Sequence, residues 1–325
     1  MVSSRRSHAP ILSRHRRSCP RARSGAPARS ESAPPVALTG DRWSGSLREV
    51  PNPESIAPIA PPSPFLLALE GRAPWELASF VAALPFLGRA ARGDGHPVLV
   101  LPGWLAGDAS TRALRWFLRD RGYHAHAWRL GMNRGPTPEV IAGLGERLHS
   151  LHARHGRKVS LVGWSLGGIY ARELARRLPE MVRQVITMAS PFRDPNATSV
   201  QRLYRLGIIR QPRTPDPEAE VLRRLRAPLT VPTTALYTKT DGICAWQSCV
   251  DEPGPRTENI AIRASHCGIG HHPASLLVIA DRLAQPEGTW RPYAPALTDW
   301  LLGVSWTQPT PVSAPALEPD IAAVG

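Results

Sequence analysis

The sequence predicts an α/β fold: a mostly parallel sheet with helices on both faces, a compact core and a small cap insertion. Three observations carry this expectation. Short apolar runs alternate with amphipathic, helix-length stretches from residue 96 to residue 191. The turns between them are short, as crossover connections in one parallel sheet allow. The same rhythm resumes over residues 233–285, after a polar, arginine-rich interval.

Taken in chain order, residues 74–91 read as one or two short helices. "HPVLVLPG" (96–103) is a short apolar run stopped by Pro-Gly, the pattern of a buried parallel strand. "STRALRWFLRDRG" (110–122) opens on a capping residue, sets Leu114, Phe117 and Leu118 on one face, and stops at glycine. "HAHAWRL" (124–130) reads as the next strand. Residues 137–156 form a helix with Thr137 as N-cap and Pro138 at its first position. A strand over 158–165, a helix over 166–180 and a strand over 182–191 follow. Residues 192–227 hold eight arginines and four acids and occupy the place of the cap insertion. Strand patterns at 233–242 and 259–268 and a closing helix at 274–285 complete one domain spanning residues 65–293.

The flanks read differently. Residues 1–64 are rich in Pro, Arg and Ser without period, as expected of a disordered extension. Residues 294–325 return to Pro-rich sequence and read as a tail, with 297–306 able to dock on the surface. The net charge of +14 suggests nucleic acid until it is divided along the chain. The first 60 residues carry ten arginines against four acids, and the rest of the excess is spread thinly. Only Lys158 and Lys239 are lysines, so 38 of the 40 basic residues are arginine. That skew reads as coding bias rather than as phosphate contacts, and no nucleic-acid partner is expected. The most apolar stretch, residues 75–87, is too short to span a bilayer and contains Glu76 and Pro85. The apolar "PIL" at 10–12 is too short for a signal-peptide core. A cytoplasmic location is the default expectation, with contact at a membrane surface through the basic flank left open.

"LVGWSLGGIY" (161–170) places Ser165 between Gly163 and Gly167 where a strand runs in and a helix leaves. A Gly-x-Ser-x-Gly match alone is weak, because glycines also serve helix packing. The strand–turn–helix context makes Ser165 a candidate nucleophile on a strained turn at the carboxyl edge of the sheet, where such sheets bind ligands. A serine hydroxyl needs a base. His266, in "ASHCGIG" just past the strand "NIAIR", is the candidate, with His271 and His272 as rivals. His149, His152 and His155 lie along a polar helix, and His124 and His126 belong to a strand of the first half. The base needs an acid to orient it. Asp241 directly follows the strand "TTALYTK", with Asp194 and Asp251 as alternatives and an Asp-Gly turn as the bland reading.

Four segments together, "VLVLPGWLAGD", "LVGWSLGGIYAREL", "YTKTDGI" and "SHCGIG", resemble the α/β-hydrolase superfamily, specifically bacterial serine hydrolases of the lipase/esterase type. The resemblance covers residues 95–285, and the chain order Ser165, Asp241, His266 is the family's. It implies cleavage of carboxylic esters through an acyl-enzyme, without metal or organic cofactor, on a small-molecule or lipid ester. It also implies an oxyanion hole from the backbone N–H groups of Trp104 and Leu166, although Pro102 stands where the family usually has histidine. Trp164 would line the substrate pocket or pack beneath the turn. Acyl transfer by the same residues, or a catalytically silent binding module, are the alternatives. Whether Cys249 pairs with Cys267, pairs with Cys244 or stays a free thiol, as cysteines in cytosol more often do, is open at this level, and so is the oligomeric state.

Overall fold

In the computed structural model, residues 59–200 and 219–307 are described. The expected extension over residues 1–58 and the middle of the expected cap, 201–218, lie outside them, as does the end of the expected tail. Two helices come first, α1 (Pro64–Leu69) and α2 (Ala73–Leu87), separated by the single turn Glu70–Arg72. The alternation then follows as β1 (Pro97–Leu101), α3 (Arg112–Asp120), β2 (His124–Ala127), α4 (Pro138–His155), β3 (Val159–Trp164), α5 (Leu166–Arg177) and β4 (Val182–Met188). After it come α6 (Ala219–Arg226), β5 (Thr233–Tyr237), β6 (Thr257–Ile262), α7 (Pro273–Ala284), α8 (Leu297–Leu302) and β7 (Val304–Thr307).

The seven strands lie in the order β2-β1-β3-β4-β5-β6-β7. All pair in parallel except β6 with β7. Strand alternation divides the core into two layers. Val98, Val100, Val162 and Ile186 face α2, α3 and α7, where they meet Phe80, Leu87, Phe117, Leu118, Leu276 and Ile279. Leu99, Leu101, Leu161 and Val185 face α4 and α5, where they meet Leu144, Leu148, Leu151, Ala171 and Leu174. Helices thus cover both faces, as the two-sided apolar strands require. The Thr137 hydroxyl accepts from the Val140 N–H at 3.3 Å, and Gly156 ends α4 with a left-handed φ of 60°.

The carboxyl-terminal boundary differs from the sequence expectation. Residues beyond 293 do not form only a tail: Gly303 turns the chain and β7 adds an antiparallel edge, pairing Ile262 with Val304 and Ala261 with Trp306. The cause is the open edge of β6, whose unpaired N–H and C=O groups accept one more strand. At the other flank, α1 begins at Pro64, inside the segment read as extension, with Ser63 as its N-cap. No strand precedes β1 among the described residues. No helix among them is long and apolar enough to cross a membrane.

Candidate active site

Ser165 alone separates β3 from α5, at φ 53° and ψ −123°. For a residue with a Cβ this conformation costs about 1–3 kcal/mol. It is held from both sides: the Ser165 N–H donates to the Met188 carbonyl at 2.8 Å, and the Ser190 hydroxyl donates to the Ser165 carbonyl. The flanking glycines make the close approach possible. A Cβ on Gly163 would run into the Gly167 carbonyl, and one on Gly167 into the Leu101 carbonyl of β1. The turn leaves the Ser165 side chain half-buried beside the loop after β1. A Cβ at Gly103 would sit 3.2 Å from that of Ser165.

Asn133 shapes this loop. Its side-chain amide donates to the Pro102 carbonyl at 3.0 Å, and its own carbonyl accepts from the Leu105 N–H at 2.7 Å. Leu105 takes a positive φ of 54°, and the Asn133 side-chain oxygen is in turn bonded by Gly135 N–H and Tyr170 O–H. Nothing in the sequence around residue 133 signals this role, because its partners lie some 30 positions away.

Asp241 follows β5 and His266 follows β6, both at the edge that carries Ser165. His266 Nδ1 lies 2.8 Å from Asp241 Oδ2. The other carboxylate oxygen accepts from the N–H groups of Ile243 at 2.8 Å and Cys244 at 2.7 Å. Burial by itself would lower the His266 pKa, but the charge and hydrogen bond of Asp241, helped by Glu70, outweigh it and raise it above 6.5. The Asp241 bond leaves Nε2 as the imidazole nitrogen without that partner. Ser165, Trp104, Trp164, Leu166 and His266 all line one cavity of about 500 Å³, whose other walls are largely apolar. Trp164 does more than line it: its indole N–H donates to the His266 carbonyl at 3.0 Å.

The rival residues are engaged elsewhere. His272 caps α7, accepting from the Ala274 N–H, and His271 faces the Ala73 carbonyl. Asp194 bonds the N–H of Asn196, and buried Asp251 pairs with buried Arg172. A second Asp–His–Ser chain exists: Asp94 to His96 Nδ1 at 2.5 Å, and His96 Nε2 to Ser160 Oγ at 2.8 Å. Ser160 and His96 are fully buried within the sheet and line no part of the cavity, so this chain ties β1 to β3. His155 packs against His124 and His126 at the β2 edge rather than facing solvent alone. Cys244, Cys249 and Cys267 are free thiols, which closes the disulfide question for the described cysteines. Cys244 packs against this pair: its Sγ lies within 4.8 Å of a ligating atom of Asp241 and of His266.

No protein-family model matches the chain. No curated protein matches it either. Among solved structures it is similar to Aspergillus fumigatus lipase B, at 16% identity and a TM-score of 0.43, over 59% of this chain and 53% of that one. It is also similar to Bacillus licheniformis lipase BlEst2 in its mature form, at 16% identity and TM-score 0.43, over 60% of this chain and 93% of that one. A third is Paleococcus ferrophilus monoacylglycerol lipase, at 15% identity and TM-score 0.41, over 59% and 96% of the two chains. The chain thus spans about half the length of the first of these. At such values the likenesses say nothing of activity, and the fold rests on the features described above. A mostly parallel sheet flanked by helices, with a strained serine between its third strand and the next helix, has the architecture of the α/β-hydrolase fold.

Proposed function

We propose that the protein is a serine hydrolase that cleaves carboxylic esters through an acyl-enzyme. The observation that carries this reading is the meeting, in one cavity, of a serine on a strained turn and a histidine backed by a buried carboxylate. Ser165 Oγ attacks the ester carbonyl while His266 Nε2 takes its proton. Asp241 holds the imidazole in the tautomer with the proton on Nδ1 and stabilises the imidazolium that forms. The oxyanion is met by the main-chain N–H groups of Trp104 and Leu166, at the loop after β1 and the first residue of α5. The proton on His266 then passes to the leaving alcohol, and water activated by the same nitrogen releases the acid. The apolar walls favour an ester with an apolar group of modest size.

The test is hydrolysis of p-nitrophenyl esters of increasing acyl length by the wild type and by Ser165→Ala, with folding matched by circular dichroism. The expected result is turnover by the wild type and a loss on the order of 10³-fold or more in the variant. Equal turnover by both proteins, or none by the wild type on any ester, overturns the reading. Release of p-nitrophenol only when a second alcohol is supplied replaces hydrolysis by acyl transfer.

A further inference from the structure

The loops that bear Asp241 and His266 are bound to each other by a residue outside both. Glu70 lies in the turn between α1 and α2, ahead of the sheet in sequence. Its Oε1 accepts from the Gly242 N–H at 2.8 Å and from the His266 N–H at 3.0 Å, and its Oε2 accepts from the Cys267 N–H at 2.9 Å. The donors are the residue after the acid, the base itself and the residue after the base. One carboxylate therefore spans the gap between the loops, through charge-assisted bonds that are stronger than neutral ones.

The neighbouring side chains reinforce the same contact. Glu76 accepts from the Ser265 N–H at 2.7 Å and from the Ser265 hydroxyl. Arg72 donates to Thr240 Oγ1 at 2.7 Å and to the Ala264 carbonyl at 2.6 Å, and pairs with Glu76 at 3.1 Å. Two glycines admit the approach: a Cβ on Gly242 would strike the Leu66 carbonyl of α1, and one on Gly268 would strike the Glu76 carboxylate. Among the described residues, the titratable and charged groups at the His266 ring and its loop include Asp241 and Cys244 from the acid loop, Glu70, Arg72 and Glu76 from the turn and α2, and Cys267 and His271 on the loop itself, with Ser165 lining the same cavity.

We propose that Glu70 is a positioning residue for the reaction: its carboxylate sets the spacing of the Asp241 and His266 loops, and its charge favours the imidazolium of His266. The inference rests on the roles given to Ser165 and His266 above. Three full-length variants separate spacing from charge. Glu70→Gln keeps an acceptor for Gly242 and His266 but has no charge. Glu70→Asp keeps the charge on a shorter arm, and Glu70→Ala keeps neither.

The experiment follows the His266 imidazole by NMR through a pH titration, which needs no substrate, alongside kcat and KM on the preferred p-nitrophenyl ester. In Glu70→Gln the His266 titration should fall by about half a pH unit or more, and the acid limb of kcat/KM should move with it. In Glu70→Asp and Glu70→Ala kcat should fall about tenfold or more with KM nearly unchanged. An unmoved His266 titration in Glu70→Gln, or wild-type kcat in folded Glu70→Ala, overturns the proposal. If the wild type hydrolyses no ester but the titration moves, the Glu70 contact stands and the hydrolase reading falls. Hydrolysis with an unmoved titration is the converse.

Discussion

The indole N–H of Trp164 donates to the main-chain carbonyl of His266 across 3.0 Å, so the residue before Ser165 holds the loop of the histidine that lines the same cavity. The last residue of β3 and the loop after β6 are thereby joined beside the cavity that both line. Trp164→Phe retains most of the ring and deletes the donor. A neutral hydrogen bond of this kind is worth about 0.5–1.5 kcal/mol, so kcat for ester hydrolysis should fall about 3- to 10-fold. Steady-state kinetics on matched folded protein checks it; unchanged kcat would leave Trp164 with a packing role alone.

The raised pKa of His266 predicts the shape of the pH profile. On the proposed mechanism the base must be neutral to accept the Ser165 proton, so kcat/KM should decline as pH falls through a value above the ordinary 6.5 of imidazole. Asp241→Asn removes the largest raising influence and the partner that fixes the tautomer. Its acid limb should move to lower pH, and kcat should drop on the order of 10⁴-fold. A pH–rate series from about 5 to 9 on both proteins reads the two effects together.

Arg172 and Asp251 form a buried pair that contributes to stability rather than to the cavity. The Arg172 guanidinium bonds both Asp251 oxygens, donates to the Ala227 carbonyl at 3.2 Å and lies 3.9 Å from the Phe192 ring centre. Removing either partner strands the other charge in the interior. Arg172→Ala or Asp251→Ala should therefore lose about 3–5 kcal/mol in urea unfolding. Arg172→Met combined with Asp251→Leu should lose less than the two single losses added, because no lone charge remains.

His96 predicts a separate dependence of stability on pH. Burial lowers its pKa to about 4, aided by the nearby charges of Arg183 and Arg157 and opposed by Asp94. The unfolded chain binds the proton more readily, so this contribution is complete above about pH 6.5 and lost as pH falls towards 4. A difference of this size corresponds to about 3 kcal/mol. Unfolding free energies at pH 7.5 and 4.5 should show a steeper fall in the wild type than in His96→Gln; parallel slopes would remove His96 as the source.

Features set by neighbours in the chain were legible in the sequence. The strands from β1 to β6 and the helices between them follow from side-chain period and from caps such as Thr137 and Gly156, each acting within a turn or two. The Ser165 turn was legible in part for the same reason: the clash that demands Gly163 arises within five residues of sequence, whereas Gly167 answers to Leu101 and Pro102 at the end of β1. The placement of Asp241 and His266 at the ends of their strands could be read because parallel strands deliver their carboxyl ends to one edge.

Tertiary contact decided the rest. That Asp241 rather than Asp194 or Asp251 faces His266 depends on a hydrogen bond across 25 positions and on an ion pair that occupies Asp251. The four residues of β7 carry too short a pattern to announce a strand, and only the open edge of β6 makes them one. Glu70 and Asn133 are ordinary polar residues in sequence, and their partners lie as far as 197 positions away. Local sterics act over a few bonds and leave a mark in residue order. Hydrogen bonds between loops act through space, and they exist only once the sheet has brought those loops to the same edge.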